Sequence, residues 1–292
     1  MSFRTVFITE KSRCSYKNGY MMVCRGETTM IHLSEVSSIL VENSATFFST
    51  FLLAELAKAK IPVIICDEKH NPVGEYLPLY GAHNSSKKIR EQIEWSEKTC
   101  KKLWSKIIES KIRNQAAVLQ ENGLAAMTML TEYADSIEIG DKTNREGHAA
   151  KVYFNALFGK EFSRDQENAT NAILNYGYSI LLSYVSREIV NRGYLTQWGI
   201  FHRNEYNHFN LACDFMEPFR PVVDRFALLH EKEALSKELK VLIIQLFSEY
   251  YVFGDGRYRL QSILSLYVKN NLAVLAGRRN MSEYLRFDLH EE

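Results

Sequence analysis

The sequence predicts an α+β protein in which a small N-terminal β-rich domain is followed by a larger all-helical C-terminal domain. Short apolar segments alternate with turn residues over the first part of the chain. From about Ser85 onward, apolar residues recur at spacings of three and four, which is the helical period. The segment PLYGAHNSS, mixed in Gly, Asn and Ser, separates the two patterns. We therefore assign residues 1–80 to the β-rich domain, 81–86 to a linker and 87–292 to the helical domain.

The first domain reads as short strands with one helix. Asn18-Gly19 joins two of the strands and suits a tight hairpin turn, because both residues tolerate positive φ. A helix is expected over residues 45–59, with Phe48, Leu52 and Leu56 on its apolar face and Ser44 as its cap. Strands are expected at residues 5–8, 13–17, 20–25, 28–32, 38–41, 61–66 and 73–76.

The second domain reads as helices throughout. Residues 87–122 are expected to form one helix or two, and the segment FGDGR around Asp255 is interpreted as a polar loop. The remaining helices are expected at residues 124–137, 146–158, 165–192, 222–230, 237–247 and 259–275.

Composition excludes several classes of protein. Apolar residues make up 46% of the 292 positions, which is typical of an ordered globular chain. No apolar run is long enough to span a bilayer, and MSFRTVFITEKSR lacks the layout of a signal peptide, so neither a membrane association nor export is expected. The five cysteines are scattered and include no CxxC pair, which favours reduced thiols in a cytoplasmic protein over a zinc finger. There is no Walker loop, GxGxxG or GxSxG motif.

Positive charge is concentrated between Lys87 and Arg113, although the net charge of the chain is only +1. Nine Lys and Arg residues lie there against four Glu residues. Two interpretations are open at this point: a solvated helix face, or a surface that contacts phosphates.

Carboxylates and histidines gather in the segment HRNEYNHFNLACDFMEPFR. Asp214 and Glu217 are three residues apart on the expected helix and so share a face. Pro218 disfavours α geometry at Glu217, which predicts a helix end or kink there. The pair is either a metal site or an exposed acidic edge that pairs with nearby arginines. His202 follows the apolar run WGIF whereas His208 lies in a polar run, and position alone favours His202.

Glu146 opens an expected helix whose inner face includes Tyr153. An acid in the first turn is favoured by the helix dipole, so charge compensation is its default explanation. Combined with His202 and Glu217, it would form a nitrogen and oxygen ligand set that suits Mg²⁺ or Mn²⁺ better than zinc. Spacing alone does not select these three residues.

Three segments together resemble one known family. They are REGHAAKVYF, NATNAILNYGYSIL and GIFHRNEYNHFNLACDFMEPFRPVVD. The chain resembles the CRISPR-associated integrase/endonuclease family, the larger of the two core spacer-adaptation proteins, in the form found with type II systems. The resemblance implies that Glu146, His202 and Glu217 are catalytic and bind Mg²⁺ or Mn²⁺, with Asp214 in support. Many relatives carry aspartate where Glu217 stands.

The implied activity is insertion of captured spacer DNA into a CRISPR repeat array by transesterification, with repeat and leader DNA as the target. The implied assembly is a homodimer formed through the N-terminal domain, with two such dimers flanking a dimer of a small ferredoxin-like adaptation partner in a hetero-hexamer. The DNA contacts expected in this setting are Lys87, Lys88, Lys101, Lys102 and Arg220. Two alternatives stay open: a metal-dependent endonuclease of DNA or RNA without joining, and a non-catalytic DNA-binding scaffold.

Overall fold

The computed structural model describes residues 4–68, 72–79, 82–231 and 233–289. The chain divides into two compact units, one of Met1–Ser85 with Val190–Gly193 and one of Ser86–Ile189 with Tyr194–Glu292. The predicted α+β class, with a strand-rich part followed by a largely helical part, is confirmed. The predicted linker begins at residue 81, which lies outside the described residues, and its last residues, Ser85 and Ser86, already belong to a helix.

The first unit contains eight strands, one complete α-helix and one 3₁₀ turn (Leu33–Glu35) among its described residues. They are β1 (Arg4–Ile8), β2 (Arg13–Lys17), β3 (Tyr20–Arg25), β4 (Glu27–His32), β5 (Val36–Val41), β6 (Phe47–Phe48), α1 (Thr50–Lys58), β7 (Val63–Cys66) and β8 (Pro72–Tyr76).

Two four-stranded sheets enclose the core of this unit. One has the order β1-β5-β7-β8, in which β1, β5 and β7 are parallel and β8 is antiparallel. The other has the order β4-β3-β2-β6. The core joins Ile39 of the first sheet, Met21 of the second and Leu52 of α1. All six residues of β5 are buried. This explains why the apolar residues at the end of this strand are consecutive and do not alternate with polar ones.

The predicted hairpin between β2 and β3 is confirmed. Lys17 pairs with Tyr20, so the turn has two residues, Asn18 and Gly19. Both have positive φ, 49° and 86°, as a turn that follows the right-handed twist of the strands requires.

The predicted start of the first helix was wrong. Phe47 and Phe48 form β6, which pairs with β2, and the helix begins only at Thr50. The amide of Phe47 donates to the carbonyl of Ser12, so a tertiary strand pairing overrides the helical periodicity of this segment. The N-cap is accordingly Ser49, whose hydroxyl accepts from the amide of Leu52, and not Ser44.

The second unit contains nine α-helices and one short hairpin among its described residues. They are α2 (Ser85–Ile93), α3 (Glu97–Glu121), α4 (Met127–Asp135), α5 (Arg145–Phe158), α6 (Ala169–Asn191), α7 (Asn210–Met216), α8 (Arg220–Leu229), α9 (Lys237–Leu246), β9 (Tyr250–Phe253), β10 (Gly256–Arg259) and α10 (Leu260–Leu275).

Helix α3 lies at the centre of the second unit. It packs against α4, α5, α8 and α10. Its inner face buries Leu103, Ile107, Ile108 and Ile112 completely. Across the described ranges, no helix is both long enough and apolar enough to cross a bilayer.

The hairpin of β9 and β10 was not predicted. Phe253 pairs with Gly256, which leaves Gly254 and Asp255 as the turn. The segment interpreted as a polar loop therefore consists of the turn and the adjoining ends of two paired strands. A Gly-Asp pair between aromatic residues is a hairpin signal of the same kind as Asn18-Gly19.

Helices α6 and α8 approach closely at Gly177. A Cβ at this position would lie 2.4 Å from Cγ1 of Val223, which is itself buried. Real Cβ atoms do not show such a distance, so only glycine permits this packing.

Gly177→Ala should therefore destabilise the protein by about 1–2 kcal/mol in urea unfolding, because overpacking outweighs the helix propensity that alanine adds. In a Val223→Ala background the same change should be neutral or stabilising, since the clashing methyl group is gone. An equal cost in both backgrounds would show that Val223 is not the reason for the glycine.

Candidate active site

Glu146 is held in the first turn of α5 by a capping loop. The carboxylate of Asp141 accepts from the amides of Arg145 (2.8 Å) and Glu146 (3.0 Å). Asn144 caps the helix by accepting from the amide of Gly147. Asp141 and Asn144 both adopt left-handed φ, which their short polar side chains tolerate. The polar interruption ahead of α5 thus fixes where Glu146 points.

Glu217 lies at the predicted helix interruption. Helix α7 ends at Met216, and Glu217–Phe219 form a 3₁₀ turn before α8 begins. Asn114 of α3 donates to the carbonyl of Pro218 at 2.9 Å and anchors this turn. Asp214 is 0% exposed and Glu217 is 3% exposed, so the interpretation of the pair as an exposed acidic edge was wrong.

Lys111 of α3 joins the two predicted glutamates. Its Nζ donates to Oε1 of Glu146 at 2.7 Å and lies 2.5 Å from Oε2 of Glu217. The lysine side chain is only 9% exposed. Although burial lowers the pKa of Lys111, the carboxylates of Glu217 and Glu146 outweigh it and raise the pKa. The lysine is therefore charged, and its charge is balanced locally.

Arg220 compensates the negative charge of Glu217 from the side of its other oxygen, Oε1. Its Nε donates to Oε1 at 2.9 Å, and its guanidinium lies 4.6 Å from the ring centre of Tyr178. Burial alone would raise the pKa of Glu217, but Arg220 and Lys111 reverse this and hold it at about 2. Glu217 is consequently ionised throughout the physiological pH range.

Asp214 orients His202. Its Oδ1 lies 2.7 Å from Nδ1 of the His202 ring and accepts the His202 amide at 3.1 Å. Its Oδ2 accepts the amides of Ile200 (2.7 Å) and Phe201 (3.2 Å). With Nδ1 donating to Asp214, the ring presents Nε2 as its ligating or proton-transferring atom. Asp214 thus contacts His202, a role that the sequence did not assign to it.

This arrangement requires glycine at position 199. A Cβ on Gly199 would lie 2.7 Å from Oδ2 of Asp214 and 2.4 Å from the carbonyl oxygen of His202. The chain can wrap its amides around the carboxylate only because this side chain is absent. Glycine is therefore needed at position 199 because any side chain there would collide with Asp214.

The ring of His202 also packs on α3. It meets Trp104 edge to face at 5.7 Å, and the neighbouring Phe201 stacks on the same indole at 4.1 Å. The hydrogen bond to Asp214 raises the pKa of His202, and the charges of Glu217 and Glu146 add to this effect. Glu146, His202 and Glu217 are thus placed in one electrostatic environment. The carbonyl of His208 accepts from Thr196, and His208 lines a cavity of about 430 Å³ that His202 also borders.

The donor set fits an oxygen-preferring divalent ion in its chemistry, with two carboxylates and one imidazole nitrogen. Oε2 of Glu217 is buried, and the ammonium of Lys111 lies 2.5 Å from it and compensates its charge. As the side chains stand, no group of three or more His, Cys, Asp or Glu residues within the described ranges is arranged to hold a metal. The cation between the glutamates in this structure is the lysine.

The predicted DNA contacts do not lie on one helix. Lys87 and Lys88 belong to α2, whereas Lys101 and Lys102 belong to α3. Several of the charges are paired: Lys88 with Glu91, Lys101 with Glu97, and Arg220 with Glu217. Lys87 and Lys102 are exposed. Contact of these five residues with DNA stays a prediction.

Lys111 is the site residue that sequence reasoning missed. We counted it among the surface charges between Lys87 and Arg113. A signal was available, because Ile107, Ile108, Lys111 and Ile112 follow one helical face of α3. A single lysine on an apolar face requires a buried partner.

The comparisons agree on one family. The family described as "CRISPR associated protein Cas1" matches residues 6–239. The CRISPR-associated endonuclease Cas1 of Neisseria meningitidis serogroup C (strain 8013) is 39% identical over 243 residues, which are 82% of this chain and 80% of that protein.

Two solved structures show the fold. The chain is similar to a casposase bound to integration product, with a TM-score of 0.79, 16% identity and coverage of 100% of this chain and 96% of that chain. It is also similar to a chain of a Cas6-RT-Cas1–Cas2 complex, with a TM-score of 0.74 and 19% identity. In that case the match covers 99% of this chain but 36% of the longer one.

The orientation of His202 by Asp214 is testable by NMR titration of labelled histidines in metal-free buffer. The pKa of His202 should lie above its ordinary value of 6.5 and should fall in Asp214→Asn. The stability that protonated His202 contributes should be fully present below about pH 6.5 and be lost as pH rises through the higher pKa of the folded protein. Asp165→Asn, a change at an exposed position, should leave the titration unchanged. An unshifted His202 in the wild type would contradict the hydrogen bond.

Proposed function

This chain belongs to the Cas1 family of CRISPR-associated proteins, and from that premise we propose that it is a metal-dependent DNA integrase. It inserts short captured DNA into a CRISPR repeat array. The observation that carries the proposal is the convergence of Glu146 and Glu217 on one buried cation, while Asp214 orients the ring of His202, on which both glutamates act electrostatically.

The reaction is a transesterification. The 3′-hydroxyl oxygen of the captured DNA forms a new bond to phosphorus at the border of a repeat, and the bond from that phosphorus to the repeat strand breaks. The proton of the attacking hydroxyl is balanced by one gained on the leaving oxygen. One phosphodiester replaces another, so no nucleotide cofactor is needed. The similarity in fold to a casposase bound to integration product supports joining as the outcome.

Glu146, Glu217 and Nε2 of His202 are the groups that would hold Mg²⁺ or Mn²⁺. When bound, the ion supplies charge stabilisation to a phosphoryl oxygen and to the leaving oxygen. Asp214 keeps the His202 ring in one tautomer and one orientation. Arg220 keeps Glu217 ionised and in place.

The first unit supports the proposed homodimer. Several of its large apolar side chains are exposed: Met30, Phe47, Phe51, Ile65 and Val73. Large apolar side chains that are exposed on one small unit are available for an interaction surface. We propose that this unit forms the dimer interface and that dimers join a small ferredoxin-like partner. The solved Cas6-RT-Cas1–Cas2 complex, which contains a chain of similar fold, supports the choice of partner.

A hydrolytic endonuclease is the second candidate. The relative from Neisseria meningitidis is named an endonuclease. The same side chains would serve either reaction, because water and a 3′-hydroxyl attack the same phosphorus. The two activities differ in product, which an assay separates.

We expect the protein, incubated with Mg²⁺ or Mn²⁺, the small partner and a plasmid that carries repeats, to join labelled DNA to the plasmid. Glu146→Gln and His202→Ala should lower the joining rate at least about 100-fold, because each removes a group that acts on the reacting phosphate. Asp214→Asn should lower it about 10–100-fold by loosening His202. Gel analysis of covalent products measures each rate.

Binding of DNA should be kept in these variants, and Glu167→Gln, at an exposed position ahead of α6, should join DNA at the wild-type rate. Joining that survives Glu146→Gln undiminished would contradict the site. Cutting of the plasmid without any joined product would favour the endonuclease.

A further inference from the structure

We propose that Lys111 is a built-in competitor of the divalent ion. Its ammonium group holds Glu146 and Glu217 together in the metal-free protein, and it must withdraw before an ion can bind between them. Lys111 thereby sets the metal affinity of the site. The inference rests on the proposed function, since it concerns the same carboxylates.

Lys111 contacts oxygens of the same two carboxylates that would hold the ion. Nζ of Lys111 is 2.7 Å from Oε1 of Glu146 and 2.5 Å from Oε2 of Glu217. A divalent ion bound by these carboxylates would approach their oxygens still more closely, at about 2.0–2.1 Å for Mg²⁺. Two positive charges cannot share that position. The ammonium group and the ion are therefore alternatives.

Arg220 does not replace Lys111 in this role. It contacts the other oxygen of Glu217, Oε1, at 2.9 Å. Without Lys111, Glu217 would keep only Arg220, which bonds Oε1 and leaves Oε2 buried, and Glu146 would lose the cation that it shares with Glu217. Lys111 therefore keeps the two carboxylates close together while the ion is absent.

The type of cation matters. A lysine ammonium is a point charge on a flexible four-carbon stem, whereas arginine binds carboxylates through a planar fork. Lysine can thus leave two carboxylates by rotation of its stem, with the backbone of α3 unchanged. A lysine at this position combines a compensating charge with the freedom to withdraw.

The test is a titration of Mn²⁺ into the DNA-free protein, in which the EPR signal of free Mn²⁺ measures how much of the ion has bound. Lys111→Met removes the competing charge, so its Kd for Mn²⁺ should be at least about tenfold lower than that of the wild type. Lys106→Met is the matched control, because Lys106 lies on the same helix and pairs with Glu109 on the surface. Its Kd should equal the wild-type value. Glu146→Gln should bind more weakly, which assigns the ion to this site.

A second measurement uses the wild-type chain and so does not depend on the folding of a variant. Acylation of lysines, read by mass spectrometry, should be slow at Lys111 without metal. It should rise at least about threefold with saturating Mn²⁺, and Lys106 should not change.

The outcomes separate the two proposals. Unchanged or weaker Mn²⁺ binding in Lys111→Met, or Lys111 acylation that Mn²⁺ does not alter, would overturn the inference while leaving the metal site intact. Absence of Mn²⁺ binding in both the wild type and Lys111→Met would overturn the metal dependence of the proposed function and the inference with it.

Discussion

The ion cluster of Lys111 with Glu146 and Glu217 is the constraint on which the rest of the site depends. It joins α3, the first turn of α5 and the 3₁₀ turn before α8 at one buried point. Loss of one member of a buried ion pair costs about 3–5 kcal/mol, because the remaining charge stays out of water. The cluster therefore fixes three separate elements relative to one another. It also explains how two carboxylates can be kept close together in the interior of the second unit.

Helix α3 contacts and positions the side chains around this cluster. Trp104 packs on the His202 ring and on Phe201, Lys111 holds the glutamates, and Asn114 anchors the carbonyl of Pro218. These three residues follow one another at intervals of seven and three, so they lie along one side of the helix. A single long helix thus positions each member of a site whose residues come from distant parts of the chain. Rigidity of the site follows from the burial of α3.

Local chemistry accounts for the parts of the fold that the sequence predicted well. Asn18-Gly19 specifies a turn by backbone preference alone, and Pro218 interrupts a helix for a steric reason. Prediction was wrong where a distant partner decided the outcome. Phe47 and Phe48 leave a helical pattern because β2 offers a strand to pair with. The hairpin around Asp255 was missed because its two-residue turn was interpreted as a loop.

The sequence by itself determined the α+β class and the interruption at Glu217, and the family pattern predicted Glu146, His202 and Glu217 as site residues. Each of these is carried by neighbours in the chain or by a quoted motif. Only the tertiary structure decided that the carboxylate oxygens of Asp214 accept hydrogen bonds from the loop and the ring of His202. It also decided that Lys111 is a member of the site. Asp214 and His202 are 12 residues apart, and Lys111 and Glu146 are 35 apart. Local sequence preferences do not predict such pairings. They form because the burial of α3 places a charged side chain in the interior, where it needs partners of opposite charge.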